Sequence, residues 1–216
     1  MTGALRVTKL DYLTMKSHYY SYLSLLVVVL FFGFTGTSFI MMGITVAWFM
    51  ALIATNIFGI QEKNNLDRLY GSVSVSLKEI VLGRYLFVML HHLIAFVAVI
   101  VIFGGFALYR STPLAPADIL VGFSLSFFGY SVITGIQMPM FFKMSYSKAK
   151  VLSMLPFFAM TALVVIPTVV SSLSAIIGYV MLHSNILIIG GLLAGCVIQL
   201  ISYQIAVAAY RRRKRG

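Results

Sequence analysis

Six apolar runs dominate this chain, at residues 19–34, 37–60, 85–109, 118–142, 151–170 and 186–210. A helix of about 20 mainly apolar residues crosses the hydrocarbon of a bilayer. No water reaches that region, so each backbone N–H and C=O must be satisfied internally, which a helix does within one segment. The runs therefore predict an all-α, polytopic membrane protein: six transmembrane helices in a single domain over 1–216. Apolar residues make up 61% of the chain and charged residues 10%, against about 45–50% and about 25% in soluble domains. A globule this small could not bury that much apolar surface, so the excess faces lipid.

The run boundaries carry their own signals. The first run is short, but Tyr19, Tyr20 and Tyr22 suit an interfacial belt at its start. Gly33-Phe34-Thr35-Gly36 leaves room only for a tight turn before the second run. Pro113 and Pro116 punctuate the loop after the third. Residues 151–182 are too long for one simple span: as a helix they reach about 48 Å, against a core of about 30 Å. Pro167 interrupts them, and Ser171, Ser172 and Ser174 follow. Two readings stay open, a span to about 170 with a short outer-leaflet helix at 171–182, or one long kinked helix.

Orientation follows from the basic residues. With the N-terminus inside, every Lys and Arg among the 16 except Arg110 lies on the inner side. That is the arrangement membrane insertion favours, and it requires an even number of spans. The expected localisation is the plasma membrane, with both termini cytoplasmic. The net charge of +11 is spread over the loops between spans, so a nucleic-acid partner is not expected. The single cysteine, Cys196, excludes an internal disulfide. No cleavable signal is evident ahead of the first run.

Chemistry-bearing motifs are sparse. No acidic residue, Lys or Arg falls deep within a predicted span, whereas ion-coupled carriers keep such groups at the midplane. There is no phosphate-binding loop, no His-Glu-x-x-His and no metal-ligand spacing, so neither catalytic nor metal residues are expected. His91 and His92 lie about a third of the way into the third run. They read either as a proton or substrate site or as polar side chains bonding across helices or lining a hydrated cleft. Asn56, Gln137, Gln199 and Gln204 read as helix-to-helix bonding. Gly191 and Gly195 form a Gly-x-x-x-Gly pair that would let helices approach closely.

The most informative segment is the loop from Gln61 to Arg84. Glu62 to Tyr70 can form a short amphipathic helix, with Leu66, Leu69 and Tyr70 on one face and Glu62, Lys63, Asp67 and Arg68 off it. Gly71 is a stop signal. Ser76 stands three residues before Glu79, a capping-box spacing ahead of the third run. Before the first run, Leu5, Leu10 and Leu13 with Arg6, Lys9 and Lys16 suggest a further, loosely patterned amphipathic helix.

Here the chain resembles a family, the permease subunits of type-2 ATP-binding-cassette exporters, in their small six-span, separate-chain branch. Members enter the third span through a phrase like Ser-Leu-Pro-Val-Ser-Arg-x-x-Ile-Val-x-x-Lys-Tyr-Leu. This chain has Ser72-Val-Ser-Val-Ser-Leu-Lys-Glu-Ile-Val-Leu-Gly-Arg-Tyr-Leu86, with Ser74 for the proline and Leu77 for the arginine. They leave the fourth span through Pro-x-x-Phe-Lys-Phe-Gly-x-x-Lys-Ala-Arg, and this chain has Pro139-Met-Phe-Phe-Lys-Met-Ser-Tyr-Ser-Lys-Ala-Lys150.

The resemblance implies a coupling helix in the first cytoplasmic loop, seated in a groove of a separate ATPase. Glu62, Leu66, Asp67, Leu69 and Tyr70 would carry that contact. Lys143, Lys148 and Lys150 would face the cytoplasm from the second loop. It also implies a dimer, homo or hetero, served by two ATPase subunits that bind the ATP and Mg, with no cofactor in this chain. The expected function is ATP-driven export of an amphipathic or hydrophobic substrate such as a peptide, lipid or drug. A membrane-embedded enzyme using His91, His92 or a serine, or a non-transporting scaffold, are the alternative readings.

Overall fold

The computed structural model describes residues 3–16, 20–64, 75–159, 162 and 184–215. Its long elements are helices: α1 (Gly3–Met15), α2 (Tyr20–Thr35), α3 (Phe39–Ala54), α4 (Asn56–Lys63), α5 (Leu77–Tyr109), α6 (Pro116–Lys143), α7 (Tyr146–Leu152) and α8 (Ser184–Arg215). Local chemistry explains most of the ends. Gly36, at φ 80°, closes α2; glycine tolerates this left-handed turn without steric cost. Its N–H reaches Gly33 O at 3.4 Å and Thr37 N–H reaches Phe32 O at 3.2 Å, the paired bonds of a Schellman ending. Ser38 then caps α3, accepting from Met41 N–H at 3.3 Å.

The predicted capping box opens α5. Ser76 N–H donates to Glu79 at 2.9 Å, and Glu79 N–H donates back to Ser76 Oγ at 3.3 Å. The helix starts at Leu77, well before the predicted start of the span at Tyr85. The Arg110 guanidinium donates to Gly33 O and Phe34 O at 2.8 and 2.7 Å, adding donors to the last carbonyls of α2.

Four helical segments among the described residues are long and apolar enough to cross a membrane: 39–63, 77–109, 116–143 and 185–215. A fifth candidate is α1 with α2, bent by 78°. Alone, the 16 residues of α2 reach only about 24 Å. The predicted fifth span, 151–170, and the outer-leaflet helix, 171–182, lie outside the described residues except for 151–159 and 162. Val151, expected to begin that span, belongs instead to α7, and the chain turns at Ser153 and Met154 before re-entering a helix at 155–159.

Helices α6 and α8 make the most extensive contact, and α3 packs against both α6 and α5. Helices α3, α6 and α8 run parallel to one another and antiparallel to α5, so their ends fall into two groups. One, called here the basic end, gathers α1, the end of α4, the start of α5, the end of α6, α7 and the end of α8. Every described Lys and Arg except Arg110 is there. Ile189, Leu193, Val197, Leu200, Ile201 and Ile205 all stand exposed on α8, as expected of a surface that meets lipid or another apolar chain.

The helix before the first run exists, but not on the predicted face. It buries Ala4, Val7, Asp11 and Met15, while Leu5 and Leu13 are exposed. The small residues let α1 lie against α5. A Cβ on Gly83 would sit 2.6 Å from Ala4 O, and Thr8 Oγ1 donates to Gly83 O at 2.9 Å.

Candidate functional site at the basic end

Arg84 corrects the expectation that cations stay in the loops. It lies inside α5 with none of its side chain exposed, and its Nε donates to Asp11 at 2.9 Å; Asp11 is equally buried. The guanidinium also donates from Nη1 to Gln61 and lies 4.7 Å from the centre of the Phe58 ring. An unpaired buried charge would be prohibitive, so carboxylate, amide and ring together make this burial tolerable. One side chain thus ties α1, α4 and α5 together on either side of the loop 65–74.

Glu62 closes the same assembly from the other direction. Its carboxylate accepts the Tyr146 backbone N–H at 2.6 Å, supplying an acceptor to the first turn of α7. A Cβ on Gly59 would lie 2.8 Å from the Tyr146 ring, so glycine there permits the close approach of α4 and α7. Phe58 stacks on Phe141 at 4.9 Å and meets Phe142 edge-on at 5.2 Å. Phe142 contacts Tyr210 of α8 at 5.3 Å, and Arg213 donates to Met144 O at 3.3 Å. A cavity of about 240 Å³ remains between Glu62, Tyr146, Tyr210 and Arg213.

Glu79 sits outside the apolar part of α5. Hydrogen bonds from the backbone and hydroxyl of Ser76 hold its carboxylate below the usual range, assisted by Gly3 N–H.

The predicted site residues divide accordingly. Leu66, Asp67, Leu69 and Tyr70 lie outside the described residues. Lys143, Lys148 and Lys150 are exposed at the end of α6 and on α7, with Lys150 5.6 Å over the Tyr146 ring. Asn56 is half-buried in the first turn of α4.

His91 is fully engaged. Nδ1 lies 3.1 Å from Phe87 O, which can only accept, and Nε2 lies 2.6 Å from the Tyr22 hydroxyl, which therefore donates. It joins α5 to α2. His92 faces the other way, stacked 4.5 Å from Tyr130, with Nε2 3.4 Å from Ser126 Oγ. Among the described residues no three His, Cys, Asp or Glu side chains gather where they could hold a metal ion.

Gly191 and Gly195 both face α6. A Cβ on Gly195 would lie 2.6 Å from the Phe127 ring, and one on Gly191 would strike Ser124. Ser124 Oγ reaches the α8 carbonyls of Leu187 and Ile188 at 2.7 and 2.9 Å. Gln199 Nε2 donates to Thr134 Oγ1 at 2.8 Å, and Gln137 Nε2 to Ser153 O at 3.0 Å. Gln204, read from the sequence as bonding between helices, is exposed.

Pro139 lies inside α6 and has no N–H to offer Gly135 O one turn back. Ser202 Oγ of α8 donates to that carbonyl at 2.7 Å, and the Tyr85 hydroxyl is 2.5 Å from Ser202 Oγ. The proton that Ser202 gives to Gly135 leaves Tyr85 as donor. Helices α5, α8 and α6 are joined through one freed carbonyl.

A family model described as "ABC-2 family transporter protein" matches residues 8–211. No curated protein matches the chain, and no solved structure does.

Proposed function

Since the chain belongs to the ABC-2 transporter family, and is by that membership a multi-pass transport permease, we propose that it forms half of an ATP-driven exporter of the plasma membrane. On this reading the basic end is cytoplasmic, both termini lie inside and the chain crosses six times. Two copies, or this chain and a related one, form the path. Two separate ATPase subunits bind ATP and Mg. The substrate is amphipathic or hydrophobic: a peptide, a lipid or a drug.

The observation that carries the reading is the clamp around the loop 65–74. Arg84 holds the far side of that loop to Asp11 and Gln61, and Glu62 on its near side holds the start of α7. Glu62 belongs to α4, which ends at Lys63, so the coupling element of this reading lies in the loop 65–74, and pushed by an ATPase it would not simply bend away. Its displacement would pass to α1, α4, α5 and α7 as one body. In this mechanism Leu66, Leu69 and Tyr70 fill the ATPase groove, while Asp67 sets register at its rim. Lys143, Lys148 and Lys150 lie on the same cytoplasmic face. ATP closes the two ATPases on each other, and the clamped helices carry the motion into the spans.

Purification from the native membrane in mild detergent, followed by native mass measurement, tests this. The expected particle contains two permease chains and two ATPase chains. A permease that never carries an ATPase would overturn the proposal.

A further inference from the structure

A second cavity, of about 420 Å³, lies between α1, α2, α3 and α5. Its lining is graded. Tyr12 of α1 and Lys16 directly after that helix stand at the basic end, the His91–Tyr22 bond lies next to them, and Leu26, Ala98 and Ile102 lie beyond. His91 and Tyr22 satisfy each other at 2.6 Å, so they ask nothing of an occupant. From His91 to Ile102 the wall runs about 16 Å along α5, close to the thickness of one hydrocarbon leaflet, about 15 Å. Leu26 and Ile94 on its rim are 42% and 53% exposed, so the cavity opens sideways to the bilayer.

We propose that this crevice holds one acyl chain of an anionic phospholipid from the leaflet at the basic end, with Lys16 pairing the phosphate. The shape is that of an amphiphile: a cation and a tyrosine at the mouth and an apolar channel one leaflet deep. The rest of α1 fits the same surface. Its exposed face alternates Leu5, Tyr12 and Leu13 with Arg6 and Lys9, and Lys16 follows directly, the pattern of a helix lying at the headgroup boundary of an anionic membrane. The proposal does not depend on which substrate is exported, or on whether an ATPase binds.

Native mass spectrometry of the purified chain tests it, with phosphatidylglycerol, phosphatidylcholine of the same two chains, or palmitate added at equal concentration. About one phosphatidylglycerol per chain should be retained, with about a fivefold preference over phosphatidylcholine from the single cation. Lys16→Glu should abolish the preference, whereas Lys148→Glu, a cation on α7 away from the crevice, should leave it intact. Ala98→Phe, at an exposed position on the crevice wall, should expel both lipids. Equal retention of the two phospholipids, stronger retention of palmitate, or retention unchanged in both crevice variants would overturn the assignment. So would a chain that retains no lipid.

Discussion

Arg84 and Tyr85 are neighbours in α5, yet they fasten that helix in opposite directions by different chemistry. Arg84 faces α1 and α4 and uses full charges: a buried ion pair with Asp11, Gln61 beside it and a ring above it. Tyr85 faces α8 and α6 and uses only neutral groups, passing through Ser202 to the carbonyl that Pro139 leaves free. The first junction fails steeply, because losing either residue breaks a buried ion pair. The second fails gently, because within a bilayer neutral partners are modest in strength and often replaceable. A permease whose spans must slide would tolerate neutral bonds between them, and would keep ionic bonds where several elements have to move as one.

The largest effect should come from Arg84→Met. It takes from the buried Asp11 its ion-pair partner, so thermal unfolding in detergent should show a loss of about 3–5 kcal/mol. Combining it with Asp11→Leu should restore most of that stability, since an apolar pair replaces a buried ion pair at little cost. A double variant no better than the single would show that the pair's worth is not electrostatic.

On the neutral side, Gly195→Leu should separate α6 from α8 and lower stability by about 1–3 kcal/mol. Gly190→Leu, where an added Cβ meets nothing within 4 Å, should stay within about 0.5 kcal/mol in the same unfolding assay. Ser202→Ala should cost about 1–2 kcal/mol. Pro139→Ala should reduce that cost, because Gly135 O regains a donor within its own helix. Failure of that rescue in a double-mutant cycle would sever the link between the proline and the serine. The smallest loss, about 0.6 kcal/mol, is expected for Thr134→Val, which removes the acceptor of Gln199.

These two junctions also mark what could be read from the chain alone. The capping box at Ser76 and Glu79 was legible because both partners lie within one turn. The close packing at Gly191 and Gly195 was legible because small residues four apart need no knowledge of the partner helix. Arg84 was not, because a cation at the edge of an apolar run looks like any loop cation, and its partner lies 73 residues away. A signal was nevertheless present. Ala4, Val7, Asp11 and Met15 fall on one helical stripe, so one of the chain's five acids sat on a buried face. The stripe built on Leu5, Leu10 and Leu13 hid it. The role of Ser202 was likewise out of reach, since the carbonyl it serves is free only because of a proline on another helix. In the sequence, Pro139 carries a signal only as part of the phrase that leaves the fourth run.

In the proposed mechanism, force enters through the loop that Arg84 and Glu62 clamp. The direct test is ATP hydrolysis by the complex purified from its native membrane, wild type beside Leu69→Asp/Tyr70→Asp. ATPase activity should elute with the wild-type permease and be absent from the variant, with the permease itself inserted in equal amount. A variant that still carries the ATPase and transports at the wild-type rate would contradict the account.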